Sequence, residues 1–187
     1  MSDTAALRRL YFLRFAFAVL WAALLFASAD GLGPLSATLL LIYPLFDAAC
    51  AIADVRSAKV NRGPVRGLYA NIALSTLTAA GLVAATTSGI PAVLRVWGVW
   101  AVTAGLVQLF VGVLRRAVGG QWPMIVSGAI SAFAGISFIT QAAKDNASLS
   151  TLAGYATLGG VFFLVSALRL GRANRTTRLP GAADRAL

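Results

Sequence analysis

The stretch Gly33–Asp54, GPLSATLLLIYPLFDAACAIAD, decides the fold. It is an apolar run long enough to cross the hydrocarbon core of a bilayer, which takes about 20 residues. Pro44, Asp47 and Cys50 interrupt the run. A carboxylate at that depth in a membrane is costly unless another group pairs with it, so Asp47 needs a partner.

The whole chain has the composition of a multi-pass membrane protein. Of its 187 residues, 59% are hydrophobic and 12% are charged, whereas about 25% are charged in an average soluble domain. The net charge of +10 could indicate nucleic-acid binding. However, the basic residues fall between long apolar runs, and no aromatic residues are interleaved with them. We therefore expect the lipid bilayer, and no nucleic acid, as the partner of the basic segments.

Six apolar runs follow one another along the chain. They predict an all-α membrane protein with six transmembrane helices, arranged as three repeated helical hairpins with both termini in the cytoplasm. Residues 1–9 form the predicted cytoplasmic N-terminus, residues 10–170 the transmembrane domain, and residues 171–187 a basic cytoplasmic tail. The predicted spans are residues 10–29, 33–53, 67–86, 92–114, 121–141 and 149–168.

Basic residues set the predicted orientation. They cluster at one side of the bundle, whereas the other side has only Lys144, plus Arg95 just inside a helix. The positive-inside rule makes the basic side the cytoplasmic one, which predicts a multi-pass protein with both termini in the cytoplasm. We expect the tail arginines Arg172, Arg175 and Arg178 to contact anionic lipid there. The first run could be mistaken for a signal peptide, but it is long and Arg14 interrupts it, so we interpret it as a retained helix.

The even-numbered runs share a short pattern. Tyr43 is followed by Asp47 and Ala48, Trp100 by Ala104 and Gly105, and Tyr155 by Gly159 and Gly160. Each is an aromatic residue, three spacers and two mostly small residues, and the period is a little over fifty residues. This pattern predicts three copies of one helical hairpin, and the small residues would let the helices approach closely.

Residues 95–116, RVWGVWAVTAGLVQLFVGVLRR, and residues 119–139, GGQWPMIVSGAISAFAGISFI, resemble the HdeD-type acid-resistance membrane proteins, a family of short repeats of unknown function. YPLFDAACAIADVRSA, residues 43–58, is similar to their second helix, which carries a Tyr and an Asp at this spacing, although Ala48 stands where a Gly is more usual. The resemblance covers residues 10–169. It implies a six-span, multi-pass protein of the bacterial inner membrane that is linked to stress or acid tolerance.

Several polar residues are predicted to lie at nearly the same depth in the membrane. Counted from Gly31 in the first turn, Arg14 and Asp47 lie at nearly equal depth, so they are candidates for a buried ion pair. The same count from the second and third turns adds residues of the later spans. The predicted polar layer consists of Arg14, Asp47, Asn71, Gln108, Ser127 and Ser166.

This layer has two interpretations. It can hold helices together: Arg14 then forms an ion pair with Asp47 or extends to the lipid headgroups. The side-chain amides form hydrogen bonds between helices. It can instead form a polar cavity for a proton, an ion or a small solute, with Asp47 at its centre and Pro44 loosening the helix beside it. The first indicates a structural or accessory protein, and the second a small permease or channel.

Other chemistry is disfavoured by the residue inventory. The chain has no His and no Glu, and Cys50 is its single cysteine. The commonest general bases and thiolate cages are therefore missing. The sequence also has no phosphate-binding glycine loop, so we expect no enzyme, no metal and no cofactor. Trp97, Trp100, Trp122 and Tyr11 are expected to be interfacial anchors. Gly128 and Gly135 share a helix face, which leaves room for internal packing, a homo-oligomer or a membrane-protein partner.

Overall fold

The computed structural model of the chain describes residues 3–60, 65–114, 116–118 and 121–176. No strand occurs in these ranges, and a short 3₁₀ turn, Arg116–Val118, follows the fourth helix. Each of the six helices is long and apolar enough to cross a membrane. The predicted all-α fold with six transmembrane helices is therefore confirmed. The helices are α1 (Asp3–Ala27), α2 (Pro34–Val60), α3 (Arg66–Thr87), α4 (Ile90–Leu114), α5 (Trp122–Gln141) and α6 (Ser150–Thr176).

Three helices extend well beyond one end of their predicted spans. α1 begins at Asp3, α2 ends at Val60 and α6 reaches Thr176. The added segments contain no proline and are rich in Arg and Ala, which are good helix formers. Hydropathy marks where a chain leaves the hydrocarbon core, and a helix continues beyond that point until a residue stops it. Residues 177–187 of the predicted tail lie outside the described residues.

Short turns join α1 to α2, α3 to α4 and α5 to α6, at the end of the bundle that we call the turn end. In the first turn of α2, the Ser36 hydroxyl accepts a hydrogen bond from the Gly33 N–H at 2.9 Å and lies 3.0 Å from the Gly31 carbonyl. Between α3 and α4, Gly89 has a φ of 97°. Only glycine adopts this left-handed conformation without a steric penalty, so Gly89 allows α4 to begin at the next residue.

The six helices form a closed ring in chain order. Each helix packs against the next one, and α6 returns to pack against α1. At the other end of the bundle, which we call the terminal end, a Cβ at Gly171 would lie 3.1 Å from the Arg8 guanidinium carbon. Nearer the middle, Gly160 faces Ala18. These two contacts show that α1 and α6 pack antiparallel to each other, which closes the ring.

The closest packing lies between the predicted hairpins rather than within them. The most extensive interfaces are α4 with α5, α6 with α1, and α2 with α3. The small residues of the repeat pattern, Ala48, Gly105 and Gly160, are all buried. A Cβ at Gly105 would lie 2.7 Å from the Gly128 carbonyl oxygen, and one at Gly160 would lie 3.3 Å from the Ala18 Cβ. Small residues at these repeat positions therefore let the hairpins approach each other.

Aromatic side chains fill the middle of the ring in the half near the turn end. We call Trp21, Tyr43, Trp97 and Trp100 the aromatic core. The Trp21 and Trp97 rings are 5.5 Å apart, the Tyr43 and Trp97 rings 5.3 Å, and the Trp97 and Trp100 rings 5.0 Å. Because α1 and α4 lie on opposite sides of the ring, the contact between Trp21 and Trp97 crosses its axis.

Two of the predicted interfacial anchors are therefore wrong. Trp97 is 0% exposed and Trp100 is 8% exposed, because both face the ring axis rather than the lipid headgroups. Tyr11 is half-buried and stacks on Phe163 at 6.2 Å. Trp122, at the first residue of α5, is 73% exposed, as an anchor at a helix end should be. Hydropathy and distance from a span end do not report which way a side chain points.

Candidate functional site

A cluster of polar side chains lies between the aromatic core and the terminal end of the bundle. It joins three helices: α1 supplies one member, and α2 and α3 supply two each. We call Arg14, Asp47, Asp54, Asn71 and Ser75 the polar cluster. Its members are buried or half-buried inside helices that are otherwise apolar. Polar groups at such depth are expected to bond to one another, because lipid offers them no partner.

Asp47 binds α3 through two hydrogen bonds. The Asn71 side-chain N–H and the Ser75 hydroxyl each donate to Oδ2 of Asp47, both at 2.8 Å. Asn71 and Ser75 are four residues apart, so they lie one turn apart on the same face of α3. Their depths fall on either side of the depth of Asp47, which lets both reach one oxygen. The carboxylate therefore fastens α2 to α3.

Arg14 binds Asp54, which corrects the predicted pair with Asp47. Nη2 of Arg14 lies 3.0 Å from Oδ2 of Asp54, and the two side chains are only 12% and 18% exposed. Helix side chains lean toward the N-terminus of their own helix. Arg14 on α1 therefore leans toward the terminal end, whereas the acids on the antiparallel α2 lean toward the turn end. The long Arg14 side chain consequently meets the acid that lies deeper toward the terminal end.

The Arg14 side chain also contacts helices besides α2. Its guanidinium carbon lies 5.3 Å from the centre of the Phe163 ring on α6, a favourable cation–π distance. Cys50, which is buried, lies beside it on α2. Arg14 thus connects α1, α2 and α6 at the level where α3 binds Asp47. Its Nε is a buried donor that has no hydrogen-bond partner among the described residues.

Pro44 sits in α2 one turn before Asp47 and is buried. A proline has no N–H, so the Leu40 carbonyl loses its usual intrahelical donor. At the neighbouring carbonyl, that of Leu39, the Trp21 indole N–H donates a hydrogen bond at 2.6 Å. The proline therefore lies where the aromatic core meets the polar cluster, and α1 supplies a hydrogen bond to the backbone there.

The other predicted layer residues lie apart from the polar cluster. Gln108, Ser127 and Ser166 are half-buried, and within the described ranges none of them hydrogen-bonds to a cluster member. The Ser166 hydroxyl donates to the Phe162 carbonyl of its own helix at 2.8 Å. Equal depth places a residue at a level in the ring but does not fix the direction it faces. The layer is therefore concentrated on α1, α2 and α3.

Asp54 and Ser75 are cluster members that the sequence analysis missed, although the sequence carried a signal for both. Asp54 follows Asp47 by seven residues, and Ser75 follows Asn71 by four, so each shares a helix face with a residue that was predicted. The predicted second span, residues 33–53, ends one residue before Asp54. This boundary is too early, because α2 continues to Val60.

The predicted lipid contacts are only partly visible. Arg172 and Arg175 lie on α6, but their side chains are outside the described part of the chain, and Arg178 lies outside the described residues. Basic residues that are described at the terminal end include Arg66 and Arg116, both exposed. Lys59 lies 5.7 Å from the centre of the Tyr69 ring, which joins the terminal-end parts of α2 and α3.

Comparison with known proteins adds no relative. A scan against protein-family models finds no match, and searches of the curated proteins and of the solved structures match nothing. Within the described ranges, no group of three or more His, Cys, Asp or Glu residues is placed to hold a metal ion. The function must therefore be argued from the bundle and its polar cluster.

Proposed function

We propose that this chain is a non-enzymatic, structural or accessory protein of the bacterial cytoplasmic membrane, related to the HdeD-type family and serving stress or acid tolerance. The family and the stress role rest on the resemblance of the repeated hairpins. The membrane assignment is supported by six helices that are apolar enough to span a bilayer. Both termini face the cytoplasm in this proposal, because Arg56, Lys59, Arg66 and Arg116 lie at the terminal end.

The observation that carries the structural role is how the polar groups are used. Asp47 accepts two hydrogen bonds from α3, and Arg14 forms an ion pair with Asp54. Between this cluster and the turn end, the aromatic core occupies the ring axis. The polar groups are bonded to one another, and aromatic side chains fill the ring axis beside them. This arrangement favours a cluster that connects helices over one that conducts a proton or an ion.

A permease for a proton, an ion or a small polar solute is the second candidate. One feature favours it: the polar cluster contains two carboxylates, Asp47 and Asp54, but one guanidinium. Among the described residues, the hydrogen-bond donors of Asp47 are neutral, and a small cavity adjoins it. Intramembrane carboxylates of this kind occur in proton and ion pathways.

Proton flux into liposomes that contain the purified protein distinguishes the two candidates. Under an imposed pH gradient, we expect vesicles that contain the wild-type protein or the Asp47→Asn variant to acidify inside no faster than protein-free vesicles. A known proton channel added to a parallel sample verifies that flux is detectable. Wild-type flux well above the protein-free rate, abolished in Asp47→Asn, would establish the permease and reject the structural proposal.

A further inference from the structure

A small, partly open cavity lies where the polar cluster meets the aromatic core. Its volume is about 20 Å³. Two helices, α1 and α2, supply most of its wall, and α6 completes it. The lining side chains are Arg14, Phe17, Tyr43, Phe46, Asp47 and Phe163. The cavity touches the Arg14–Asp54 ion pair through Arg14 and the hydrogen-bonded group on α3 through Asp47.

The wall of the cavity is part polar and part aromatic. Three of its six lining residues, Arg14, Tyr43 and Asp47, have polar side chains. The aromatic part includes Phe17 and Phe46, whose rings stack 3.8 Å apart. Both hydrogen bonds from α3 end on Oδ2 of Asp47, so neither uses Oδ1. Donors and acceptors are thus both available to a molecule in the cavity.

Size and charge limit what can bind there. A buried water molecule needs a cavity of about 10–15 Å³ and two to four polar partners. This cavity has the volume for one water and three lining residues with polar side chains. An anion would meet the Asp47 carboxylate, and a metal cation would meet the Arg14 guanidinium. A neutral molecule that both donates and accepts hydrogen bonds avoids either repulsion.

We propose that one water molecule is bound in this cavity, where it hydrogen-bonds to Asp47, Tyr43 and Arg14. The water joins the Arg14–Asp54 ion pair to the Asp47–Asn71–Ser75 hydrogen bonds, so that the polar cluster acts as one network. It also gives the Tyr43 hydroxyl a partner at the edge of the aromatic core. The bound water does not require that the protein conducts protons.

Solid-state NMR of the protein in lipid bilayers, with polarisation transferred from water to labelled tyrosine and aspartate carbons, tests the proposal. The chain has only four tyrosines, so their ring carbons can be assigned. Tyr155 is the matched control, because it occupies the equivalent repeat position and its hydroxyl donates directly to Ser131 at 2.8 Å. We expect faster transfer to Tyr43 and Asp47 than to Tyr155, from water that exchanges slowly with bulk.

Two variants complete the test. Tyr43→Phe keeps the ring in the aromatic core and removes one partner of the water, so it should reduce transfer to Asp47, whereas Tyr155→Phe should leave that transfer unchanged. Transfer to Tyr43 and Asp47 as slow as transfer to Tyr155 would overturn the bound water. Transfer from water that exchanges as fast as bulk would also overturn it, because the cavity would then belong to an open hydrated path.

Discussion

At the scale of single residues, the direction in which a side chain leaves its helix decides which acid Arg14 binds. Counting residues from a turn gives the depth of each Cα, and it correctly puts Asn71 at the level of Asp47, to which it donates a hydrogen bond. The same count pairs Arg14 with Asp47, yet Arg14 binds Asp54. The lean of helix side chains toward the N-terminus accounts for the difference. Depth was therefore predictable from the sequence, and the bonding partner of a long side chain was not.

A double-mutant cycle tests this assignment. Arg14→Met combined with Asp54→Asn should show a stronger energetic coupling than Arg14→Met combined with Asp47→Asn. In the described part of the chain, the guanidinium forms an ion pair with Asp54 at 3.0 Å and none with Asp47. Removing one partner of the buried pair should lower the free energy of unfolding by about 3 kcal/mol. Reversible unfolding in mixed micelles gives these values.

Arg95→Met is the control for this cycle, because Arg95 is exposed near the turn end. Its coupling to either acid should be near zero. A stronger coupling of Arg14 to Asp47 than to Asp54 would show that the ion pair with Asp54 is wrongly assigned. The lean of helix side chains would then not determine which acid Arg14 binds.

At the scale of elements, glycine spacing explains why α4 and α5 form the most extensive interface. Gly98, Gly105 and Gly112 recur every seven residues on α4 and face α5, where Gly128 and Gly135 have the same spacing. Seven residues are close to two helical turns, so each series forms one stripe. A shared face for Gly128 and Gly135 was predictable from the sequence. The sequence did not predict that this face serves internal packing, because a glycine stripe does not identify the helix that packs against it.

Adding a methyl group to this stripe should push the helices apart. A Cβ at Gly128 would lie 2.6 Å from the Leu109 backbone nitrogen, and backbone cannot move aside as a flexible side chain can. We expect Gly128→Ala to lower the free energy of unfolding by about 1–3 kcal/mol, the usual cost of overpacking. Thermal unfolding in detergent, followed by intrinsic tryptophan fluorescence, measures the change.

Gly154→Ala on α6 is the matched control. A Cβ at Gly154 would meet no atom within 4 Å, and alanine favours a helix over glycine by about 1 kcal/mol. The control should therefore unfold at the wild-type temperature or higher. Equal losses of stability in the two variants would show that the loss comes from glycine as such, and not from close packing of α4 on α5.

At the scale of the whole molecule, three repeats of a hairpin become one ring because the interfaces between hairpins are the tight ones. The sequence predicted the number of helices, their order and the period of the repeat. It did not predict the contact of α6 with α1, because periodicity describes each copy and not how the copies meet. The ring has two consequences for function: the aromatic core closes its axis near the turn end, and the polar cluster binds α1, α2 and α3 together beside it.

Closure of the ring is the central claim, and disulfide formation between α1 and α6 tests it most directly. The Ala18 Cβ lies 3.3 Å from the position of a Cβ at Gly160, and disulfides need a Cβ separation of about 3.5–4.5 Å. In a Cys50→Ala background, mild oxidation of Ala18→Cys/Gly160→Cys should give an intramolecular disulfide, visible as a gel shift that reduction reverses. Ala18→Cys/Gly154→Cys should give none. Intermolecular dimers in place of the intramolecular bond, or no bond at all with the protein folded, would contradict the ring.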